Sequence, residues 1–305
     1  MSAALTSYGT AGGAPRLGGS NAAPGTHIDK VFLTLICACA LLASLVIVLI
    51  AVFLFKESFP LVQKIGMMRF LTDDGWWPTT QQYNLVPMIA ASLLLTLAST
   101  LIATPVALTF AIFMAFYAGP RWQKVLRSLV DISAAVPTII YAFWGLMTVV
   151  PLVNAIASPG ASLLAGSLVL ALMIFPTITV LSHSAIAAVP GHYFYAGAAL
   201  GVERASLIRH IVLPSARGGI VAAAILGAAR AIGETMVVLV LCGNIVQLPH
   251  SFLDPVRALT ANIALEMPYA MGDHRAALYV SGMIVLLVVT GLALVSELSA
   301  KRQHG

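Results

Sequence analysis

The sequence predicts an all-α, polytopic membrane protein with six transmembrane helices. Three observations carry that reading. Of 305 residues, 60% are hydrophobic and only 9% charged, where a soluble domain carries roughly 25% charge. Mean hydropathy is +0.97. The apolar residues also gather into six runs of the length a helix needs to cross about 30 Å of hydrocarbon. The net charge of +5 comes from basic residues scattered singly between these runs, a pattern that speaks to membrane topology and not to nucleic acid.

Residues 1–27 are rich in Gly, Ala, Ser and Pro, a composition that cannot bury enough apolar surface to order itself, and are expected to be a disordered cytoplasmic tail. The membrane-spanning region is expected over residues 28–305. The first apolar run, about 31–55, is too long for the core of a signal peptide and reads as an uncleaved anchor. Further spans are expected at about 85–117, 129–153, 161–182, 218–242 and 277–297. With the N-terminus inside, ten Lys and Arg fall on the cytoplasmic side and five on the other. This bias predicts both termini in the cytoplasm. Outside, Trp76, Trp77 and Tyr83 suit an interfacial aromatic belt. Pro255 and Pro268 bracket a short helix that is interfacial or re-entrant, and Asn244 and Gln247 are candidates for an external mouth. Pro105, Pro137 and Pro176 lie within spans and are expected to kink them. Gly227 and Gly233 are expected to permit close helix approach.

The fifth span holds the least expected residues. In "LGAARAIGETM" Arg230 stands about 12 residues into the run, roughly 18 Å from one end. A charge at that depth must face protein or water. On a continuous helix Glu234, four residues on, shares its face and neutralises it. Two roles fit. Arg230 can line an anion's path, its planar fork of donors matched to phosphate oxygens, or the two residues can form a static pair that locks the bundle.

Between the fourth and fifth spans, Val189–Pro214 reads as two short helices broken at Gly201 on the cytoplasmic face, a knob suited to a partner's groove. This segment resembles the cytoplasmic consensus of bacterial ABC importer permeases: Glu-Ala-Ala, three residues, Gly, nine residues, Ile, any residue, Leu-Pro. Ala196, Gly201, Ile211, Leu213 and Pro214 hold the consensus spacing, and Ala199 and Leu200 fit it. Tyr195 replaces the Glu and Gly197 the second Ala. "AAVPTIIYAFWGL", "LGAARAIGETM", "LTANIALEM" and "GDHRAAL" further resemble the phosphate-specific branch, in particular its PstC-type permeases.

That resemblance implies a type I ABC importer permease that moves inorganic phosphate by alternating access, within membrane lipid of a bacterial cell. The implied partners are a second permease (PstA-type), a cytoplasmic ATPase dimer (PstB-type) and an extracytoplasmic phosphate-binding protein (PstS-type). The chain has no phosphate-cradling loop of its own, so it is expected to be no enzyme and to bind no cofactor, with ATP and Mg²⁺ on the ATPase. Another oxyanion or a phosphonate remains an alternative cargo, and an ATP-independent secondary transporter an alternative class. Cys37, Cys39 and Cys242 read as packing residues, and His183, His210 and His250 show no metal-ligand spacing.

Overall fold

The computed structural model describes residues 27–301. The expected tail, but for its last residue, and Arg302 lie outside the described residues. In chain order the elements are α1 (His27–Ile65), α2 (Arg69–Thr72) and an antiparallel strand pair, β1 (Trp76–Trp77) and β2 (Gln82–Tyr83), joined through a 3-10 turn at Pro78–Thr80. Then come α3 (Val86–Phe116), α4 (Pro120–Ala135), α5 (Thr138–Asn154), α6 (Leu163–Ala187), α7 (Gly191–Ala199) and α8 (Arg204–Leu207). A π-turn at Ile208–Val212 leads into α9 (Leu213–Ile232), followed by α10 (Met236–Leu241), α11 (Leu259–Glu266) and α12 (Gly272–Lys301).

Five helical stretches are long and apolar enough to cross a membrane: Lys30–Ile65, Val86–Phe116, Leu163–Ala187, Arg204–Ile232 and Gly272–Ser299. The chain divides at Ile50 into two units. The described part of the first is the leading portion of α1, largely apolar beyond Lys30. The second, from Ala51 onward, holds everything that positions the site.

The sixth crossing is not the single helix expected at 129–153. α4 and α5 meet at 91°. The cause is the Val136–Pro137 junction, because proline's ring disfavours helical geometry in the residue before it. Val136 is extended (φ −64°, ψ 127°), and Pro137 sits at the start of α5 instead of inside a span. Proline need not break a helix, however. α3 and α6 run without a break through Pro105 and Pro176, where Thr109 and Thr179 donate to the carbonyls of Pro105 and Phe175.

The second unit is built on α3 and α6. Leu95, Ala103 and Ala107 of α3 pack with Val169, Leu170, Ile174 and Ile178 of α6, and α9 and α10 add Ala223, Ala231, Val237 and Leu241. Gly227 shows why α9 can approach so closely: a Cβ there would fall 2.6 Å from Ile178 Cγ1. Small residues at such crossings let van der Waals packing hold helices together where lipid supplies no hydrophobic drive.

The segment between α6 and α9 corrects the sequence reading in part. The break falls at Gly201, whose φ of +75° is left-handed and natural only to glycine. The second short helix does not lie apart on the surface, for Arg204 to Ile232 forms one run into the span. Pro214 lacks the N–H that would bond His210 in a regular helix. The π-turn before it widens the coil, with the Leu213 N–H donating to the Ile208 carbonyl. Gly197 also finds its reason, since a Cβ there would meet Leu207 Cδ2 at 2.1 Å. Leu207 occupies the space an alanine methyl would need.

Beyond the other end of the bundle, Trp76 and Tyr83 are buried with Leu61, Phe70, Leu85, Met88, Leu259 and Leu278. Of the three expected belt aromatics only Trp77 is exposed.

Candidate functional site

Arg230 occupies the last turn of α9 on an exposed face, where the helix's free carbonyls favour a cation. Its Nη1 donates to Thr177 Oγ1 at 3.3 Å. Thr177 fixes the depth of this contact. It stands about 21 Å from the start of α6 and about 15 Å from its end at 1.5 Å per residue, so the guanidinium lies in the middle of the bundle.

Glu234 is not its ion-pair partner. The expected pairing assumed one helix over 218–242, but α9 ends at Ile232 and Gly233–Thr235 is non-helical. Four-residue spacing therefore no longer puts the two side chains on one face. Glu234 Oε1 instead accepts from the backbone N–H groups of Met236 and Val237, at 3.1 and 3.4 Å, and caps α10. Thr260 of α11 secures the break by donating its hydroxyl to the Glu234 carbonyl at 2.7 Å. Among the described residues no ion pair joins Arg230 to an acid. Gly233 has no neighbour within 3.7 Å of where a Cβ would stand, so it ends a helix and does not bring two together.

A second charged cluster, missed in the sequence, closes the loop end of the bundle. Glu266 is 8% exposed. Its Oε1 accepts from Arg257 Nη1, and its Oε2 from Trp76 Nε1 and pairs with His274 Nε2, each at 2.8 Å. Arg257 also donates to the Asn244 carbonyl and to Asn262 Oδ1. Asn244 and Gln247, the expected mouth residues, line a cleft of about 740 Å³ with Asp74, Trp77, Arg257 and Glu266. Nearby, burial and then the charge of Asp273 push the Tyr83 hydroxyl above the usual phenol range. Arg257 and His274 stand 9 and 8 residues from Glu266 but Trp76 stands 190 away, so no spacing rule could have gathered all of them.

At the opposite end α7 protrudes. Tyr195 and Leu200 are 65% and 83% exposed, and Ala196, Ala199, Gly201 and Pro214 are exposed beside them, with Ile211 and Leu213 half-buried. Phe116 stacks on Phe194, and Arg204 donates to the Phe116 carbonyl, fastening this knob to the end of α3. His210 contacts Ser206, and His183 faces Arg127 across a small notch. Among the described residues no three His, Cys, Asp or Glu converge as a metal site.

The described residues thus set a mid-bundle cation with a partly free fork between a protruding knob at one end and a polar cleft at the other. Residues 107–304 match the family described as binding-protein-dependent transport system inner membrane component. The chain belongs to this family. Its relatives include the probable ABC transporter permease protein YqgH of Bacillus subtilis, 36% identical, over 88% of this chain and 90% of that protein. Another is the phosphate transport system permease protein PstC of Haemophilus influenzae, 30% identical over 90% and 93%. Among solved structures the permease resembles an inward-facing methionine ABC transporter, MetNI (TM-score 0.59, 16% identity, 72% of this chain and 95% of that one). It also resembles a bacterial alginate ABC transporter (TM-score 0.59, 15% identity, 90% and 96%). At such identity these likenesses speak for the fold, which is that of ABC importer permeases. The chain is a multi-pass transport subunit and not itself an enzyme.

Proposed function

We propose that this permease carries inorganic phosphate across the bacterial cytoplasmic membrane as one of two membrane subunits of an ATP-driven importer. The observation that carries the proposal is Arg230. A guanidinium at mid-bundle depth costs at least ~2.5–3.5 kcal/mol to insert against lipid, so it faces a partner subunit or a watery path. With Nη1 on a neutral hydroxyl and, among the described residues, no acid in an ion pair with it, it can offer a fork to a tetrahedral oxyanion. The named phosphate permeases among its relatives support the cargo.

In this reading the chain works with a second permease, an ATPase and a substrate-binding protein, of the PstA, PstB and PstS types. The α7 knob seats in the ATPase, and the loaded binding protein docks at the opposite end. Both termini lie in the cytoplasm, as the distribution of Lys and Arg favours. ATP-driven closure of the ATPases moves α7, and the run from Arg204 to Ile232 carries that motion to Arg230. The substrate passes without covalent change.

The deciding experiment reconstitutes the assembled complex in vesicles and follows ATP-dependent uptake of labelled phosphate, with sulfate and a phosphonate as competitors. Phosphate uptake that Arg230→Gln lowers about 10- to 100-fold, with assembly intact, is the expected result. Uptake unchanged by the substitution, or sulfate carried in preference, would overturn it.

A further inference from the structure

The strongest surface not used by the transport path is α4. At about 100° per residue its side chains sort into three sectors. Leu126, Val130 and Ser133 fall within about 60° of one another; Val130 is buried, the other two half-buried, and the helix packs on α6. Trp122, Val125, Leu129 and Ile132 fall within about 80°, and all four are exposed, from 48% to 66%. Arg121, Lys124 and Arg127 make the third sector together with one acid, Asp131, and all four are exposed. The right angle at Val136–Pro137 decides how this helix lies. Since α5 belongs to the crossing, α4 runs in the plane of the membrane at the end where α7 protrudes, held by the Tyr141 hydroxyl donating to the Ser133 carbonyl at 2.8 Å.

We infer that α4 is a binding surface for the anionic phospholipid headgroups of that leaflet. The apolar sector enters the acyl region, with Trp122 at the boundary that indole favours. The cationic sector, roughly 120° away, then sits at headgroup level, where it can pair with phosphodiester oxygens. Arg127 adds a firmer contact point, because it shares a notch between α4 and α6 with His183 and Ser184. Charge decides for lipid over a protein neighbour: an apolar helix face would serve either, but three cations against the single acid Asp131 leave the polar side net positive, which matches an anionic leaflet.

The test uses the assembled transporter in bilayers containing brominated phosphatidylglycerol or brominated phosphatidylcholine at equal fraction. Quenching lost in Trp122→Phe isolates the Trp122 signal from the other tryptophans. Phosphatidylglycerol should quench it more strongly, and the preference should fall about fivefold with each of Arg121→Gln, Lys124→Gln and Arg127→Gln at low salt. Lys124→Arg should keep it, and about 0.5 M salt should largely erase it. Equal quenching by the two lipids in the unmodified transporter would overturn the inference. So would a Trp122 that neither lipid quenches, which would mean that a protein neighbour covers the face.

Discussion

Arg257 and Arg230 are both arginines set among apolar helices, yet their surroundings are opposite. Arg257 spends its donors on Glu266, Asn262 and the Asn244 carbonyl, and Glu266 is held in turn by Trp76 and His274. Arg230 has one hydrogen bond, to a threonine hydroxyl, and an exposed face. A charge held by an acid and by two further oxygens fastens segments together. A charge with donors to spare is available to something that arrives. The first explains how three distant segments close one end of the bundle, and the second marks where an ion can be received.

This contrast can be broken most severely at the fastening. Glu266→Ala strands Arg257 and the Trp76 N–H in a half-buried setting, and thermal unfolding of the purified chain should report a loss of about 3–5 kcal/mol. Arg230→Gln should do the reverse, lowering phosphate uptake in vesicles about 10- to 100-fold, the worth of a charge-assisted hydrogen bond, with little change in thermal stability. If the two substitutions exchanged these signatures, the division between fastening and traffic would be wrong. Gly227→Ala should cost about 1–3 kcal/mol by forcing a methyl against Ile178. Gly233→Ala, whose methyl would meet only ordinary contacts at 3.7 and 3.8 Å, should stay within about 0.5 kcal/mol; the same unfolding assay compares the pair. Between these two falls Glu234→Ala, about 1 kcal/mol for a lost cap, which Glu234→Gln should largely spare because the amide oxygen still accepts.

The sequence made the bundle legible because hydropathy is a local property: each crossing announces itself through its own residues. Arg230 was legible for the same reason, as a charge out of place in an apolar run. The fate of Glu234 was not. "RAIGETM" reads as a helix with one tolerated glycine, and the break there is secured by Thr260, which reaches the Glu234 carbonyl from α11, 26 residues away. The turn at Val136–Pro137 was half legible. Proline marks the junction, but only the packing of α4 on α6 sets the angle at 91°. The Glu266 cluster was least legible, because its members meet only after the whole chain has folded.

The π-turn at Ile208–Val212 has a consequence for the whole second half of the molecule. Holding one residue more than an α-turn, it sets the phase of everything that follows. Removing that residue would swing α9 by about 100° about its own axis and carry Arg230 off its bearing on Thr177. The foot of the protruding knob and the aim of the guanidinium are therefore threaded on one screw, and a shift in winding at the first is read out as a change of heading at the second.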